Sequence, residues 1–340
     1  MINRIGNYTL EFTDKPIIAG FGSIVGKKES EGPLKEYFDK IEYDTRFGQD
    51  SWEKAESMFQ KEALYLALKR AEFELKDCNC IFAGDLLNQC ISSGYAMRDY
   101  GVPYLGQYGA CSTMAQGMAM AGVFVESGAA VTAAALTSSH FCSAERQYRY
   151  PLEYGGQRAQ TAQWTVTGSG CVILTSSKKA IDNNNASVSR VTIGKIIDMG
   201  IKDAANMGAA MAPAAADTIK CFFDDTNTHP EEYDAIFTGD LGLVGTKLLY
   251  ELLERENIDI TKIHKDCGLL IFDDKTQDTH SGGSGCGCSA SVLCSYILKN
   301  MQAGKLKKIL FVATGALMSP TASLQGESIP SIAHLVEIVI

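Results

Sequence analysis

The stretch YGACSTMAQGMAMAG, Tyr108 to Gly122, sets one cysteine, Cys111, among small residues at the predicted first turn of a helix. A thiol there has the makings of a nucleophile, because helix-terminal amides and the helix dipole favour the thiolate. Gly109 and Ala110 permit the tight turn that such an elbow needs. The plainer alternative is a buried small thiol packed against a helix turn.

A second stretch gathers a different chemistry. HFCSAERQYRYPLEYGGQRAQTAQW carries His140, Arg146, Tyr148, Arg149, Tyr150, Arg158, Gln163 and Trp164. Guanidinium forks, amide donors and π faces in one segment suit a flat ligand bearing carboxylates. The same arginines could instead pair with Glu145 and Glu153 on a dimer surface. His140 follows a predicted buried strand, and strand ends in α/β folds face binding crevices.

The elements that must position these residues occur twice. IFAGDLLNQ from Ile81 and IFTGDLGLV from Ile236 both read as a short apolar strand running into Gly-Asp. Helical spacing of apolar residues precedes each, over Ala55–Leu75 and roughly Ala214–Asp225. From Cys111 a small-residue helix, a stop at Gly128 and a strand through Ala135 follow in turn. From Cys288 the same order runs through a stop at Gly304 to a strand at Ile309–Thr314. Helices alternating with β-rich runs predict parallel α/β layers, and their recurrence predicts an internal duplication. The divide falls in the polar loop Ser176–Ser187, giving halves of 1–178, with the Cys111 elbow, and 179–340.

Bulk properties exclude several functions. At 340 residues and 46% hydrophobic, the chain can bury a large core. A net charge of −9 and a pI near 5.2 argue against nucleic acid. The eleven cysteines show neither a CxxC pair nor zinc-like Cys/His spacing, so reduced thiols are expected, with no cofactor and no metal. DDKTQD lacks the glycine and glutamate of a calcium loop. MINRIGNYTL lacks the apolar core of a signal peptide. The apolar window Ala119–Leu136 is broken by Glu126, Ser127 and Gly128, so any membrane association is expected to be peripheral.

A duplicated α/β chain with a cysteine elbow in one half and the glycine-rich HSGGSGCGCSAS in the other resembles the thiolase and ketoacyl synthase superfamily. That resemblance implies a thiolase-like fold, a duplicated five-layer α-β-α-β-α sandwich, usually dimeric. WTVTGSGCVILTSS is similar to the segment closing the first half of ketoacyl synthases. The block TSSHFCSAERQYRYPLEYGGQRAQTAQWTVTGSGCVIL and the opening FTDKPIIAGFGSIVGKKESEGPL resemble the stage V sporulation protein AD family across essentially the whole chain.

The superfamily resemblance implies two partners for Cys111. Where it places a histidine after the second-half strand, this chain has Thr238, in FTGDLG. Where it places an asparagine or second histidine, the chain offers Ser284 or Cys286, depending on register. His280 is the imbalance in this picture: it is the imidazole nearest in sequence, and a loop bending it back would restore a Cys/His pair and an acyltransferase using Cys111 as nucleophile. Otherwise the site is vestigial and the protein non-catalytic.

The sporulation family resemblance implies binding of dipicolinic acid, pyridine-2,6-dicarboxylate, free or as its calcium chelate, and its passage into the developing spore. Cys111, His140, Arg146, Arg149, Arg158 and Gln163 are the expected ligand contacts. Other SpoVA membrane proteins are the implied partners, with a homodimer peripheral on the inner spore membrane.

Overall fold

The computed structural model describes residues 1–148, 158–176 and 185–340. Among these, the first half contributes strands β1 (Ile17–Val25), β2 (Cys80–Gly84), β3 (Tyr104–Gly106), β4 (Thr132–Ser139) and β5 (Gly168–Thr175), in the spatial order β1-β5-β4-β2-β3. The second contributes β6 (Ser187–Thr192), β7 (Ala235–Thr238), β8 (His264–Asp266), β9 (Lys308–Ala316) and β10 (Ser331–Val339), in the order β6-β10-β9-β7-β8.

The sense of pairing repeats as well: antiparallel, antiparallel, parallel, parallel in both halves. The two paths meet at one antiparallel pair, Ser187 with Ile17. An N-terminal hairpin, Ile2–Ile5 with Thr9–Phe12, crosses over to pair with β6. The boundary at 178/179 lies outside the described residues.

The principal helices are α1 (Trp52–Ala71), α2 (Thr113–Glu126), α3 (Phe141–Tyr148), α4 (Met207–Thr226), α5 (Gly242–Glu254) and α6 (Cys286–Val292). The last runs on through a π turn, Leu293–Ile297, into Leu298–Gln302. Helix α1 packs on β1, β5 and β4, while α4 packs on β10 and β9 and against α5. Helix α2 touches strands of both halves, and α6 lies beside it. The result is the five-layer α-β-α-β-α sandwich of a thiolase-like fold.

Strand alternation explains the recurring Ile-Phe pair. Ile81 and Ile236 face outward beneath α1 and α4, whereas Phe82 and Phe237 face the central helix layer. All four are fully buried, each contributing about 1.5–3 kcal/mol by removal from water.

Local signals set the helix ends. Ser51 caps α1 by accepting from Lys54 N–H, so the helix begins before the predicted Ala55, and it stops at Glu72 in the left-handed region. Gly128 and Gly304, at φ 77° and 70°, end their helices as expected. Helix α4 starts at Met207, earlier than the predicted Ala214, because Met207, Ala210 and Met211 continue its buried face and Pro213 is accommodated within it. Among the described residues no helix is long and apolar enough to cross a membrane.

Candidate functional site: two cavities divided by one strand

Cys111 sits just before α2, after Ala110 in a left-handed conformation at φ 48°. Ser112 Oγ donates to Gly109 O and Thr113 Oγ1 to Ala110 O, at 2.7 and 2.6 Å, which fixes the elbow. Gly315 of β9 lets it approach: a Cβ there would lie 2.3 Å from Gly109 O and 3.3 Å from Cys111 N. The elbow therefore has the form that nucleophile chemistry requires.

Its surroundings point the other way. Asp240, in the turn after β7, accepts from Ser284 Oγ and Gly285 N–H at 2.9 Å each and from Thr314 Oγ1 at 2.8 Å. Ser284 Oγ in turn lies 4.0 Å from Cys111 Sγ. Burial, reinforced by the Asp240 charge, pushes the Cys111 thiol well above its ordinary range, while burial also raises Asp240. Cys111 is thus a buried thiol beside the Asp240 carboxyl, a setting that disfavours the thiolate.

The cavity at Cys111 measures about 30 Å³ and is lined by Leu86, Tyr108, Tyr148, Met207, Ser284 and Met318 among others. A water needs about 10–15 Å³ of such space, so the chamber has room for a water or two. Gln163 stands behind it, donating to Asp240 O and Gly283 O at 2.6 and 3.0 Å and so tying together the two turns that carry Asp240 and Ser284.

The superfamily-derived partner positions resolve differently. Thr238 does not face Cys111. Its hydroxyl donates to Asp266 Oδ2 at 2.7 Å and lies 2.8 Å from His264 Nε2, within a buried chain that continues from His264 Nδ1 to Tyr250 OH at 2.9 Å. Asp266 accepts from Leu241 and Gly242 N–H and thereby holds the Asp240 turn. Burial lowers His264 to about 4 and raises Asp266 to about 6.

His280 makes no pair with Cys111, because it is held elsewhere: its Nδ1–H donates to Ala159 O at 2.8 Å and its Nε2 meets Asp278 Oδ1 at 2.9 Å. Cys286 lies in the same small apolar cluster as Cys111, with Leu86 and Ala144, and its thiol donates to Ser138 O at 3.1 Å.

The cationic stretch builds a second cavity. Trp164 and Thr165 form a short strand paired with Gly283–Ser284. Alternation aims Thr165 at the Cys111 chamber and Trp164 at a separate cavity of about 310 Å³. Phe141 stacks on Trp164 with centroids 4.1 Å apart and planes 12° apart. Lys28 Nζ lies 4.1 Å and Arg158 Cζ 5.0 Å from the indole centroid. These two cations donate to successive backbone carbonyls, Gln277 and Asp278.

His140 lines the same cavity, with Nε2–H donating to Thr45 O at 2.8 Å and Nδ1 accepting from Cys142 N–H at 3.1 Å. Burial lowers its pKa. Arg146 forms an ion pair with Glu53 of α1. Arg149 lies outside the described residues. The expected ligand set is thus divided: Cys111 lines the inner chamber with Gln163 behind it, His140 lines the outer cavity, and Arg158 lies over the Trp164 ring.

A family profile described as Stage V sporulation protein AD matches residues 6–339. The chain belongs to the stage V sporulation protein AD family. It is 44% identical over 329 residues to Stage V sporulation protein AD of Bacillus subtilis (strain 168), covering 97% of this chain and 96% of that one.

Among solved structures, this member of the stage V sporulation protein AD family is similar to 3-oxoacyl-[acyl-carrier-protein] synthase III from Aquifex aeolicus VF5, at 14% identity and TM-score 0.55 over 96% of this chain and 100% of that chain. It is also similar to acetamide-bound OleA of Xanthomonas campestris, at 13% identity and TM-score 0.62 over 97% and 100%. At these identities the likeness establishes the fold.

Sequence reasoning gave no role to Asp240, Lys28 or Phe141. Asp240 was visible in the repeated Gly-Asp-Leu, whose first copy, Asp85, is equally buried. Lys28 had no signal, because it joins Trp164 from 136 positions away in the chain. Among the described residues no group of three or more His, Cys, Asp or Glu side chains is placed to hold a metal ion.

Proposed function

We propose that this protein is a non-condensing binder of dipicolinic acid that serves sporulation by capturing the ligand and passing it to SpoVA membrane proteins, as a homodimer peripheral on the inner spore membrane. Membership of the stage V sporulation protein AD family supports the sporulation role. The observation that carries the non-condensing reading is Asp240 beside Cys111 and Ser284. Condensation requires a thiolate and donors that stabilise developing negative charge. A buried carboxylate at that point opposes both.

Calorimetric titration of the purified protein with pyridine-2,6-dicarboxylate tests the binding function, and saturable uptake is expected. Incubation with acyl-thioesters followed by intact-mass measurement tests the rest, with no adduct on Cys111 expected. A stoichiometric acyl-Cys111 adduct that turns over would overturn the non-condensing reading and make the protein an acyltransferase.

A further inference from the structure

Of four cavities among the described residues, one has a buried polar atom without a partner in its wall. It is the cavity against Trp164, and at about 310 Å³ it lies at the lower end of the roughly 300–1,000 Å³ typical of small-molecule sites. Phe59, Phe141 and Trp164 give it apolar walls, while Glu29, Glu31 and Glu42 give it three carboxyl groups. His140 adds no spare polar atom, since both its ring nitrogens are bonded to backbone groups.

Glu29 is the group left incomplete. It is 1% exposed, and its Oε1 accepts from Thr167 N–H at 2.9 Å, whereas Oε2 is buried with no hydrogen-bond partner. A buried acceptor left unpaired is costly, so this oxygen calls for a donor. Gly26 lines the same cavity, and a Cβ there would lie 3.0 Å from Oε2, so the bare glycine leaves open space beside the oxygen that a side chain would fill. The cations of the wall do not supply the donor. Lys28 Nζ is committed to Gln277 O and to the indole face, Lys27 is exposed, and neither reaches Oε2.

We propose that the Trp164 cavity binds a small organic cation, a primary ammonium on an apolar body, with an ammonium N–H donated to Glu29 Oε2 and the body against Phe59, Phe141 and Trp164. One free carboxylate oxygen suits a compact ammonium, whereas a guanidinium fork seeks both oxygens and Oε1 is already engaged. Among the described residues no group of three or more His, Cys, Asp or Glu side chains is placed to hold a metal ion, and the aromatic walls call for an organic body. Glu31 is exposed and Glu42 half-buried at the cavity, where water weakens their pull. Burial raises Glu29 to about 7, so a cation beside it favours its ionised form. The same carboxyls oppose a dianion, so this site does not depend on the dipicolinate reading.

Calorimetric titration of the full chain with 2-phenylethylammonium chloride should saturate, and 2-phenylethanol, its neutral analogue, should bind at least about 10-fold more weakly. Glu29→Gln keeps an acceptor for Thr167 N–H while removing the charge, and should weaken the amine by about 10-fold or more. Glu42→Gln should weaken it by no more than a few-fold, and Cys111→Ala should leave it unchanged. The sequence contains two tryptophans, so in Trp52→Phe the emission of Trp164 should change over the same amine concentrations.

No saturable amine binding, equal binding of the alcohol, or a folded Glu29→Gln variant that binds like the unaltered protein each overturns the site. Circular dichroism melts establish that each variant is folded, and the amine against alcohol comparison needs no variant at all. Titration with pyridine-2,6-dicarboxylate tests the proposed function separately, and its failure leaves the amine result standing.

Discussion

The two copies of Gly-Asp-Leu began as the same turn and now do different work. In the first half, Asp85 follows β2 and its carboxylate serves its own loop, accepting from Leu87 N–H and from Ser93 N–H and Oγ. Close by, Glu56 accepts from Ser138 and Ser143, and Gln60 ties the two groups together through Ser93 and Ser138. In the second half, Asp240 follows β7 and reaches outward to two other segments, at Ser284–Gly285 and at Thr314, ending beside Cys111. Duplication supplied one buried acid per half; the first became a local clamp and the second closes the chamber where a condensing enzyme needs donors.

The largest test of that difference is to remove each acid. Asp240→Ala strands two hydroxyl donors and one amide in the interior and should cost about 3–5 kcal/mol by chemical denaturation, whereas Asp85→Ala, which disturbs only its own loop, should cost less. An equal cost would dissolve the distinction between clamp and closure.

The preceding glycines come next. A Cβ on Gly84 would meet Gln107 O at 1.9 Å, while on Gly239 the nearest atom is Thr314 N at 2.9 Å. Gly84→Ala should therefore melt at a clearly lower temperature than Gly239→Ala, whose overpacking costs about 1–3 kcal/mol.

Glu56 makes the first half pH-sensitive. Burial raises this carboxyl to about 8, above the 4.5 of an exposed glutamate, with the Asp85 charge adding to the shift. The native state then holds a proton that the unfolded chain releases, so stability falls as pH rises between those values, by at most about 1.4 kcal/mol per pH unit. Glu56→Gln should flatten that slope in urea melts across pH 5–8, roughly the same window.

The smallest expected effect concerns Glu29, which is buried and accepts from Thr167 N–H. Burial raises this carboxyl to about 7, so it too makes stability fall as pH rises, but only between about 4.5 and 7. Glu29→Gln should therefore flatten the slope over a narrower window than Glu56→Gln in the same urea melts.

Much of this architecture was legible because it is written in local pattern. The Ile-Phe-x-Gly-Asp echo gave the two parallel strands and their two faces, and Gly128 and Gly304 marked both central helix ends. The site was legible only in part. Reading Thr238 as the partner of Cys111 assumed that the last strand residue faces the elbow. The strand ends there, Thr238 turns toward β8, and the following turn delivers Asp240 instead. His280 stood near the right loop in sequence, but its left-handed backbone directs the ring to Ala159. Trp164 has Phe141, Arg158 and Lys28 against its ring, and the lysine comes from the opening of the chain, a contact that spacing cannot encode.

The hairpin laid across β6 has a consequence for synthesis. Thr9, Leu10 and Glu11 pair with Thr192, Val191 and Arg190, and β6 itself pairs with β10, which ends at Val339. On the ribosome, the first half can close its own sheet once β5 has emerged, but its earliest residues must wait for partners made much later. Until then, α2 covers β2 and β4, but β5 and the neighbouring part of β4 lack helix α6, which packs on them in the finished molecule. The nascent first half thus presents apolar strand surface that only a helix made much later covers.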